Sequence, residues 1–186
     1  MDEAIAGIIS ATNFAAIKHK SQTRKDPEKT PYINHPIGVA YQIVNIGKVY
    51  DVATIQAAIL HDTVEDTDCT LEEIERYFGK EVRDLVDEVS DDKNLEKMER
   101  KRLQIVNAPK KSYKAKLVKL SDKLYNLRDL ERTKPEGWSD ERRKEYFIWA
   151  QKVVDGMCST GVVNEFLEKE LAEIFNRNFV YCSVVL

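Results

Sequence analysis

The feature that most constrains this chain is the stretch AKLVKLSDKLYNLRDL, residues 115–130. Four leucines recur in it at helical spacing: Leu117, Leu120, Leu124 and Leu127. Val118 and Tyr125 fall on the opposite side of the same helix, so apolar side chains occupy more than one face. A helix that is apolar on several faces is typically buried. The stretch therefore predicts a helix embedded in the fold.

Helical periodicity continues through most of the chain, and the 7 glycines and 5 prolines lie at segment ends. Further helices are predicted over Asp2 to about Lys20, Pro36 to Gly47, Asp51 into 57–68, Thr70 to Gly79, Glu81 to Val89, Leu95 to Asn107, 139–154 and Asn164 to Phe175. The pattern favours an all-α chain forming a single domain over residues 1–186.

Local signals refine this prediction. Asp51 and Ser139 are expected to cap helices, and Thr70 with Glu73 is expected to form a capping box. The first helix is expected to carry four side chains on one face: Ile5, Ile8, Ile9 and Thr12. The tail FVYCSVVL, residues 179–186, is β-prone and fits either a strand or an arm.

Composition is typical of a soluble globular protein, because charged residues make up 33% of the 186 residues and apolar ones 42%. The net charge of −3 excludes a bulk polyanion binder. Three cysteines without CxxC spacing favour a reducing compartment. The first ten residues, MDEAIAGIIS, hold two acids where a signal peptide would hold basic residues. We therefore expect a cytoplasmic protein with no membrane or nucleic-acid partner.

The stretch AAILHDTVEDTD, residues 57–68, begins as a buried helix and then sets down one imidazole and three carboxylates within six residues. Charged groups beside a buried stretch are costly unless something pairs with them or binds them. His61 and Asp62 from this stretch, His35 from PYINHP and Asp122 from the embedded helix form a mixed nitrogen and oxygen ligand set. Such a set suits Mn²⁺, Fe²⁺ or Zn²⁺, and its carboxylate share favours a harder ion with open coordination positions.

Each of these residues also has an ordinary structural explanation. A helix-end ion pair explains an adjacent His–Asp doublet as often as a metal does, and His35 could be a capping or loop histidine. Asp122 could pair with Lys119 or Lys123. His19, in IKHKS, has no partner in view and is expected to be a surface or rim histidine.

Two more carboxylates follow the doublet. Glu65 lies four residues after His61, and Asp66 lies four residues after Asp62. If the helix extends that far, each acid lies one turn beyond a proposed ligand on the same face. A carboxylate in that place can orient a water molecule and accept its proton. The alternative is that both acids belong to an ordinary polar loop.

Three motifs in this order, RKDPEKTPYINHP, ILHDTVEDT and KLSDKLYNLRDL, resemble successive signatures of the HD-domain hydrolases of the RelA/SpoT family, in particular its small stand-alone animal members. They run from Arg24 to Leu130, so the resemblance covers most of the chain. It implies an all-helical HD fold and hydrolysis of the 3′-pyrophosphate of guanosine tetraphosphate or pentaphosphate, (p)ppGpp, to GDP or GTP and pyrophosphate. It also implies removal of the 2′-phosphate of NADPH, since both substrates present a phosphorylated ribose.

The resemblance assigns roles to nine residues. It implies a Mn²⁺ ion held by His35, His61, Asp62 and Asp122. It implies that Glu65 and Asp66 activate the attacking water. It implies substrate contacts from Arg24, Lys25 and Asn126.

The sequence departs from the family pattern at four positions. Thr30 replaces a usual glycine, and Ser121, Lys123 and Tyr125 stand where bacterial relatives often have Ala, Arg and His. These changes leave the implied ligands intact and bear on substrate preference. The length leaves no room for the synthetase and regulatory domains of the long bacterial enzymes, so synthesis is not expected.

A highly anionic substrate beside several carboxylates requires basic side chains as well as a dication. The first local surplus of cations comprises Lys18, Lys20, Arg24, Lys25 and Lys29. Further candidates, which solvated helix faces explain equally well, are Lys97, Arg100, Lys101, Arg142 and Arg143. Trp138, Tyr146 and Trp149 could contribute to a base or ribose pocket, although the helical spacing of Tyr146 and Trp149 favours the core.

Two other functions fit parts of the pattern. An HD hydrolase of the 5′-nucleotidase type would share the metal ligands, but it would not need the Glu65–Asp66 pair together with the Arg24–Lys25 loop. A nucleotide-sensing module with a structural metal would leave no open coordination position and would give the two acids no task.

Overall fold

The computed structural model describes residues 2–178, and their regular structure is helical apart from one isolated β-bridge between Thr23 and Pro31. The helices are α1 Asp2–Lys18, α2 Asn34–Asn45, α3 Val52–Leu60, α4 Thr63–Asp66, α5 Leu71–Phe78, α6 Lys80–Val89, α7 Lys97–Asn107, α8 Tyr113–Arg132, α9 Asp140–Cys158 and α10 Glu165–Arg177. A short 3₁₀ helix, Ala108–Lys110, follows α7. The all-α class is confirmed. The β-prone tail, 179–186, lies outside the described residues.

Helix α8 is the embedded helix that the leucine pattern predicts. Ala115 and Val118 pack into a cluster formed with α1, α2, α3 and α6. Leu117, Leu120 and Leu124, on another side of α8, pack into a second cluster with α9 and α10. Because both clusters share α8, polar side chains on this helix lie deep between two apolar layers.

Side-chain caps fix where several helices begin. Asp51 accepts a hydrogen bond from the backbone N–H of Thr54 at 2.9 Å, and Ser139 caps α9 in the same way, so both predicted caps are confirmed. Only half of the predicted capping box forms. Thr70 accepts from the N–H of Glu73 at 3.2 Å, whereas the Glu73 carboxylate lies 2.9 Å from Lys18 Nζ on α1.

The third helix is shorter than a continuous run through residues 57–68. Helix α3 ends at Leu60, and the one-turn helix α4 begins at Thr63, whose hydroxyl donates to the Leu60 carbonyl at 2.7 Å. His61 and Asp62 therefore occupy the junction between two helices. The N–H of Asp66 donates to the Asp62 carbonyl at 2.9 Å, which places Asp66 one turn beyond Asp62.

Only part of the face expected of α1 packs against the core. Ile8 contacts the apolar cluster, but Ile5 is 56% exposed and Ile9 62% exposed, and the fully buried side chains of α1 are Ala11 and Ala15. Small side chains let α1 lie close against α3, and the Gln56 amide of α3 donates to the Gly7 carbonyl at 3.0 Å. Close helix packing therefore decides the buried face.

Other predicted bounds shift by a few residues. The second helix begins at Asn34, so Pro36 is its third residue and not its first. Gly79, with φ of 84°, ends α5 as predicted, and its backbone conformation is one that L side chains rarely adopt. Within residues 2–178, no helix combines the length and apolarity that crossing a membrane requires.

Candidate active site

Four residues from three parts of the chain converge at the centre of the fold. His35 comes from the start of α2, His61 and Asp62 from the α3–α4 junction, and Asp122 from the middle of α8. His35 Nε2 lies 3.5 Å from Asp62 Oδ2 and 3.3 Å from Asp122 Oδ1. His61 Nε2 lies 3.1 Å from Asp62 Oδ2 and 3.9 Å from Asp122 Oδ1. We call these four residues the ligand cluster.

The ring nitrogens of the ligand cluster fit a cation. His61 Nδ1 lies 2.8 Å from the Ala58 carbonyl, which can only accept, so Nδ1 carries the proton. Nε2 then faces the cluster, where it offers a lone pair once a cation displaces its proton, and this buried nitrogen has no hydrogen-bond partner among the described residues. Ligand atoms of His35, His61 and Asp62 lie within 4.8 Å of one another. A dication bound by such nitrogen and carboxylate oxygen atoms would satisfy them.

Electrostatics in the cluster follow from burial and opposite charge. Burial lowers the pKa of His61, but the charge of Asp62 outweighs it and raises that pKa to about 9. Burial lowers the pKa of His35, and Asp122 opposes this without overcoming it. Burial raises the pKa of Asp62, but the charge of His61 holds that pKa well below its usual range. The pKa of Asp122 is lowered in the same way, by Lys123 and His35 against burial. Both carboxylates therefore stay ionised and attract positive charge.

A second layer of side chains holds the carboxylates in place. Lys123 Nζ donates to Asp122 Oδ2 at 2.9 Å, and Asn126 Nδ2 donates to Asp122 Oδ1 at 2.6 Å. The Tyr32 hydroxyl donates to Asp62 Oδ2 at 2.7 Å. The ion pair between Asp122 and Lys123 was the alternative to metal binding. The structure shows this ion pair and the ligand cluster together. Such outer partners fix ligand orientation.

Glu65 is held on the α7 side of the ligand cluster. Its Oε1 lies 3.0 Å from Arg100 Nη1, and its Oε2 accepts from the backbone N–H of Asp91 at 3.2 Å. Burial, followed by the charge of Asp91, raises the pKa of Glu65. A carboxylate with a raised pKa accepts a proton more readily near neutral pH.

Asp66 is held on another side of the cluster, where it lines an open cavity. Its Oδ2 lies 3.1 Å from the Tyr32 hydroxyl, the same group that donates to Asp62. Loss of hydration, followed by the charge of Asp62, raises the pKa of Asp66. The two acids predicted to act together therefore have separate surroundings.

The cavity beside the cluster has a volume of about 900 Å³. Its lining includes all three predicted substrate contacts, Arg24, Lys25 and Asn126, together with Asp66, Trp138 and Tyr146. Arg24 Nη2 donates to Asn126 Oδ1 at 2.7 Å and to Asp129 Oδ2 at 2.8 Å. The loop that carries Arg24 is therefore joined to α8, one turn after Asp122.

Several of the other predicted basic residues already have partners, which are carboxylates, aromatic rings or a backbone carbonyl. Lys29 lies 2.6 Å from Glu136, and Lys18 pairs with Glu73, so neither is a free cation. Lys101 Nζ lies 4.7 Å from the centroid of the Trp149 ring and 5.6 Å from that of Tyr146. Arg142 lies 4.4 Å from the Trp138 ring centroid in a cation–π contact, whereas Arg143 donates to the Leu130 carbonyl.

Both interpretations of Tyr146 hold. It packs against the apolar cluster that α8 forms with α9 and α10, as its helical spacing favoured, and it also lines the cavity. Trp149 is half-buried, and its indole N–H donates to the Lys101 carbonyl at 3.1 Å. Trp138 lines the cavity as predicted.

The prediction for His19 was wrong. Its side chain is buried at 2% exposure, its Nδ1 lies 2.7 Å from Gln22 Oε1, and its ring centroid lies 4.9 Å from that of Tyr32. The end of α1 packs against the loop before α2, which no local pattern indicates. Tyr32 also received no predicted role, although its place three residues before His35 in PYINH is a signal that was available.

Comparisons with known proteins agree with this geometry. A family model described as HD domain matches residues 11–151. The chain is 61% identical over 175 residues to guanosine-3′,5′-bis(diphosphate) 3′-pyrophosphohydrolase MESH1 of Xenopus tropicalis, covering 94% of this chain and 96% of the relative. It is 56% identical over 177 residues to the Homo sapiens protein of the same name, covering 95% and 97%.

A solved structure of a metazoan ortholog of SpoT, described as hydrolysing ppGpp, superposes with a TM-score of 0.91 at 50% identity. It covers 94% of this chain and 97% of its own. Fold, motif order and overall identity thus agree over nearly the whole sequence. The chain belongs to the HD-domain family and, within it, to the metazoan SpoT homologues.

Proposed function

We propose that this protein hydrolyses the 3′-pyrophosphate of ppGpp and pppGpp, giving GDP or GTP and pyrophosphate. The observation that carries the proposal is the buried ligand cluster placed beside a cavity of about 900 Å³ that the loop with Arg24 and Lys25 lines. Relatives at 56–61% identity are named for this reaction. In the cavity lining, Trp138 and Tyr146 supply aromatic rings for the base, and Lys25 supplies a cation for the phosphates.

We assign Mn²⁺ to the ligand cluster, with His35, His61, Asp62 and Asp122 as its ligands. Two imidazoles and two carboxylates suit Mn²⁺, Fe²⁺ or Zn²⁺, and the carboxylate share favours the harder ion. When bound, the dication polarises a phosphoryl oxygen and lowers the pKa of a water molecule. Lys123 and Asn126 hold Asp122 so that its oxygens keep their orientation.

The remaining tasks are proton acceptance, orientation of the water and neutralisation of phosphate charge, and side chains of the protein perform them. Glu65, whose pKa is raised, accepts the proton of the attacking water, and Asp66 orients that water from the cavity side. The water oxygen bonds to the phosphorus attached to the 3′ oxygen, the phosphorus–O3′ bond breaks, and O3′ leaves with the electron pair and takes up a proton. Lys25 neutralises phosphate charge at the cavity wall, and Arg24, joined to Asn126 and Asp129, holds the loop against α8 and contacts the substrate from the same wall.

NADPH is a second candidate substrate, with loss of its 2′-phosphate as orthophosphate. It presents a phosphorylated ribose attached to a base, as ppGpp does. The cavity favours both because its lining combines the aromatic rings of Trp138 and Tyr146 with the basic residues Arg24 and Lys25.

The test is a side-by-side assay of ppGpp, NADPH and nucleoside 5′-monophosphates on enzyme stripped of metal and reloaded with Mn²⁺, Fe²⁺ or Zn²⁺. Pyrophosphate from ppGpp supports the main proposal, and fastest turnover with Mn²⁺ supports the metal assignment. Orthophosphate from nucleoside 5′-monophosphates alone would favour the 5′-nucleotidase alternative. Tight nucleotide binding with no product would favour a sensing module.

We further propose a cytoplasmic protein that forms one domain over residues 1–186, with no nucleic-acid or membrane partner. Cys69 and Cys158 are free thiols, as expected in a reducing compartment. Both apolar clusters share α8, which supports one cooperative unit. Cell fractionation and a single calorimetric unfolding transition would test the two statements.

A further inference from the structure

The Tyr32 hydroxyl lies between two carboxylates with different tasks. It is 2.7 Å from Asp62 Oδ2, in the ligand cluster, and 3.1 Å from Asp66 Oδ2, at the cavity. The hydroxyl also makes the only side-chain hydrogen bond to the Asp66 carboxylate among the residues that the structure describes. Loss of this one oxygen atom would leave the Asp66 side chain without an anchor.

The ring of Tyr32 is itself fixed on several sides. Its centroid lies 4.9 Å from that of His19 and 5.8 Å from that of His35, and the Arg24 guanidinium carbon lies 5.7 Å away. Gln22 reinforces this arrangement. Its Oε1 accepts from His19 at 2.7 Å, and its Nε2 donates to the backbone carbonyl of Asp66 at 2.6 Å. The end of α1 and the following loop thus hold both Tyr32 and Asp66.

The phenol offers one proton to two acceptors. A tyrosine phenol ordinarily ionises near pH ~10, so the hydroxyl keeps its proton at neutral pH. A neutral phenol donates one hydrogen bond at a time and accepts others. The carboxylate that receives this proton is held by the hydroxyl. The orientation of Asp66, at the cavity, is therefore linked to that of Asp62, in the cluster.

We propose that Tyr32 is a positioning residue that acts through Asp66, holding its carboxylate beside the ligand cluster in the orientation that the attacking water requires. This inference rests on the proposed function. Tyr32 does not need to touch the substrate or accept a proton for this role. His19 and Gln22 support it by fixing the ring and the backbone of α4.

The test is a double-mutant cycle of Tyr32→Phe, Asp66→Asn and the combined variant, assayed with ppGpp on Mn²⁺-loaded enzyme. Tyr32→Phe is expected to lower kcat ~10–100-fold, as loss of an outer hydrogen-bond partner does. It is expected to leave KM unchanged. In the Asp66→Asn background, Tyr32→Phe should cause little further loss, because the group through which it acts is already disabled.

Direct calorimetric titration of Mn²⁺ separates this role from an effect on Asp62. The proposal predicts that Tyr32→Phe lowers kcat far more than it weakens Mn²⁺ binding. If Mn²⁺ affinity fell in parallel with kcat, or if the two kcat losses multiplied in the combined variant, Tyr32 would act on Asp62 and the proposal would be overturned. Tyr41→Phe is the matched control, because Tyr41 is 61% exposed and takes part in none of the contacts described for the cluster.

A second variant guards against a folding defect in Tyr32→Phe. Gln22→Met removes the bonds to the Asp66 carbonyl and to His19 while keeping the Tyr32 side chain itself intact. It should lower kcat in the wild-type background and have little effect in the Asp66→Asn background. Pyrophosphate release by the wild type tests the proposed function separately. If ppGpp is not turned over, that function fails, and the same cycle on NADPH tests the role of Tyr32.

Discussion

The ligand cluster and the cavity wall beside it are built in different ways. The cluster is buried, with His35 at 1% exposure and Asp122 at 7%, and each of its side chains comes from a helix or a helix junction. The wall is formed largely by the loop between α1 and α2, where Lys25 is exposed, and is completed by the second half of α8, the α8–α9 connection and Tyr146 of α9. Ion pairs at the wall, such as Lys29 with Glu136, are open to solvent.

In the proposed mechanism, this difference places the chemistry in the cluster and the selection of substrate at the wall. A buried cluster held by Lys123, Asn126 and Tyr32 has little freedom, so its geometry is fixed before substrate arrives. A loop wall adapts more easily to different anionic groups. Changes in the cluster should therefore abolish turnover, whereas changes in the wall should alter substrate affinity.

The largest effect is expected from Asp122→Ala. The change removes a cluster carboxylate and frees Lys123 as a buried cation beside the two imidazoles. Mn²⁺ binding and activity should fall together to background, as measured by calorimetric titration and pyrophosphate release. Asp87→Ala, at an exposed position on α6, is the control and should preserve both. An Asp122→Ala protein that kept full activity would remove the cluster from the mechanism.

Glu65→Gln should have the next largest effect. The amide keeps the size of the side chain but cannot accept the proton, so kcat should fall ~10²–10⁴-fold. Mn²⁺ affinity should change little, because Glu65 contacts Arg100 and Asp91 and lies outside the cluster. Glu72→Gln, on the exposed side of α5, serves as the control. Normal turnover by Glu65→Gln would mean that the acid takes no part.

The pH dependence of kcat follows from the raised pKa of Glu65. The carboxylate must be ionised to accept a proton, so activity is present above its folded pKa and lost as pH falls through that value. Because burial raises this pKa, the acid limb should lie above the ordinary range of a glutamate. A kcat profile at saturating Mn²⁺ measures it. If the residual activity of Glu65→Gln showed the same loss of kcat at low pH, that loss would belong to the titration of another group.

A smaller effect, and one on affinity, is expected at the wall from Lys25→Ala. A hydrogen bond or ion pair to a charged group contributes about 1.5–3 kcal/mol, so KM for ppGpp should rise ~10-fold or more. The kcat value and Mn²⁺ affinity should be nearly unchanged, because Lys25 contacts no cluster residue. Lys20→Ala is matched in charge and exposure and should leave KM unchanged. A loss confined to kcat would contradict the division between cluster and wall.

Much of the fold could be predicted from local pattern. The leucines of α8 indicate a buried helix because their spacing reports its apolar faces, and Asp51 and Ser139 are recognisable caps because capping needs only nearby backbone. The face of α1 could not be predicted in this way. Its exposed Ile5 and Ile9 show that close approach to α3 outweighs residue hydrophobicity.

The site was predictable where its residues belong to compact motifs. His35, His61 and Asp62 each lie in a short polar break within apolar sequence, and their convergence with Asp122 was predicted from motif order. The contacts around them depend on tertiary packing. Arg24 reaches Asn126 across 102 residues of sequence, and His19 is buried by a loop that follows its own helix. The spacing of residues along the sequence does not indicate which distant residues come into contact.

The smallest expected effect is at the rim of the wall, in the exposed ion pair of Lys29 with Glu136. Exposed pairs contribute about 0–1 kcal/mol, because water and salt screen them and two long side chains must be held in one geometry. Glu136→Gln should therefore shift the free energy of unfolding by less than about 1 kcal/mol in chemical denaturation. It should also release the Lys29 ammonium toward the cavity, so KM for the anionic substrate should fall slightly at low salt, and the difference should vanish at high salt. A KM that instead rose at every salt concentration would show that the pair positions the loop, and the wall would then share the fixed character of the cluster.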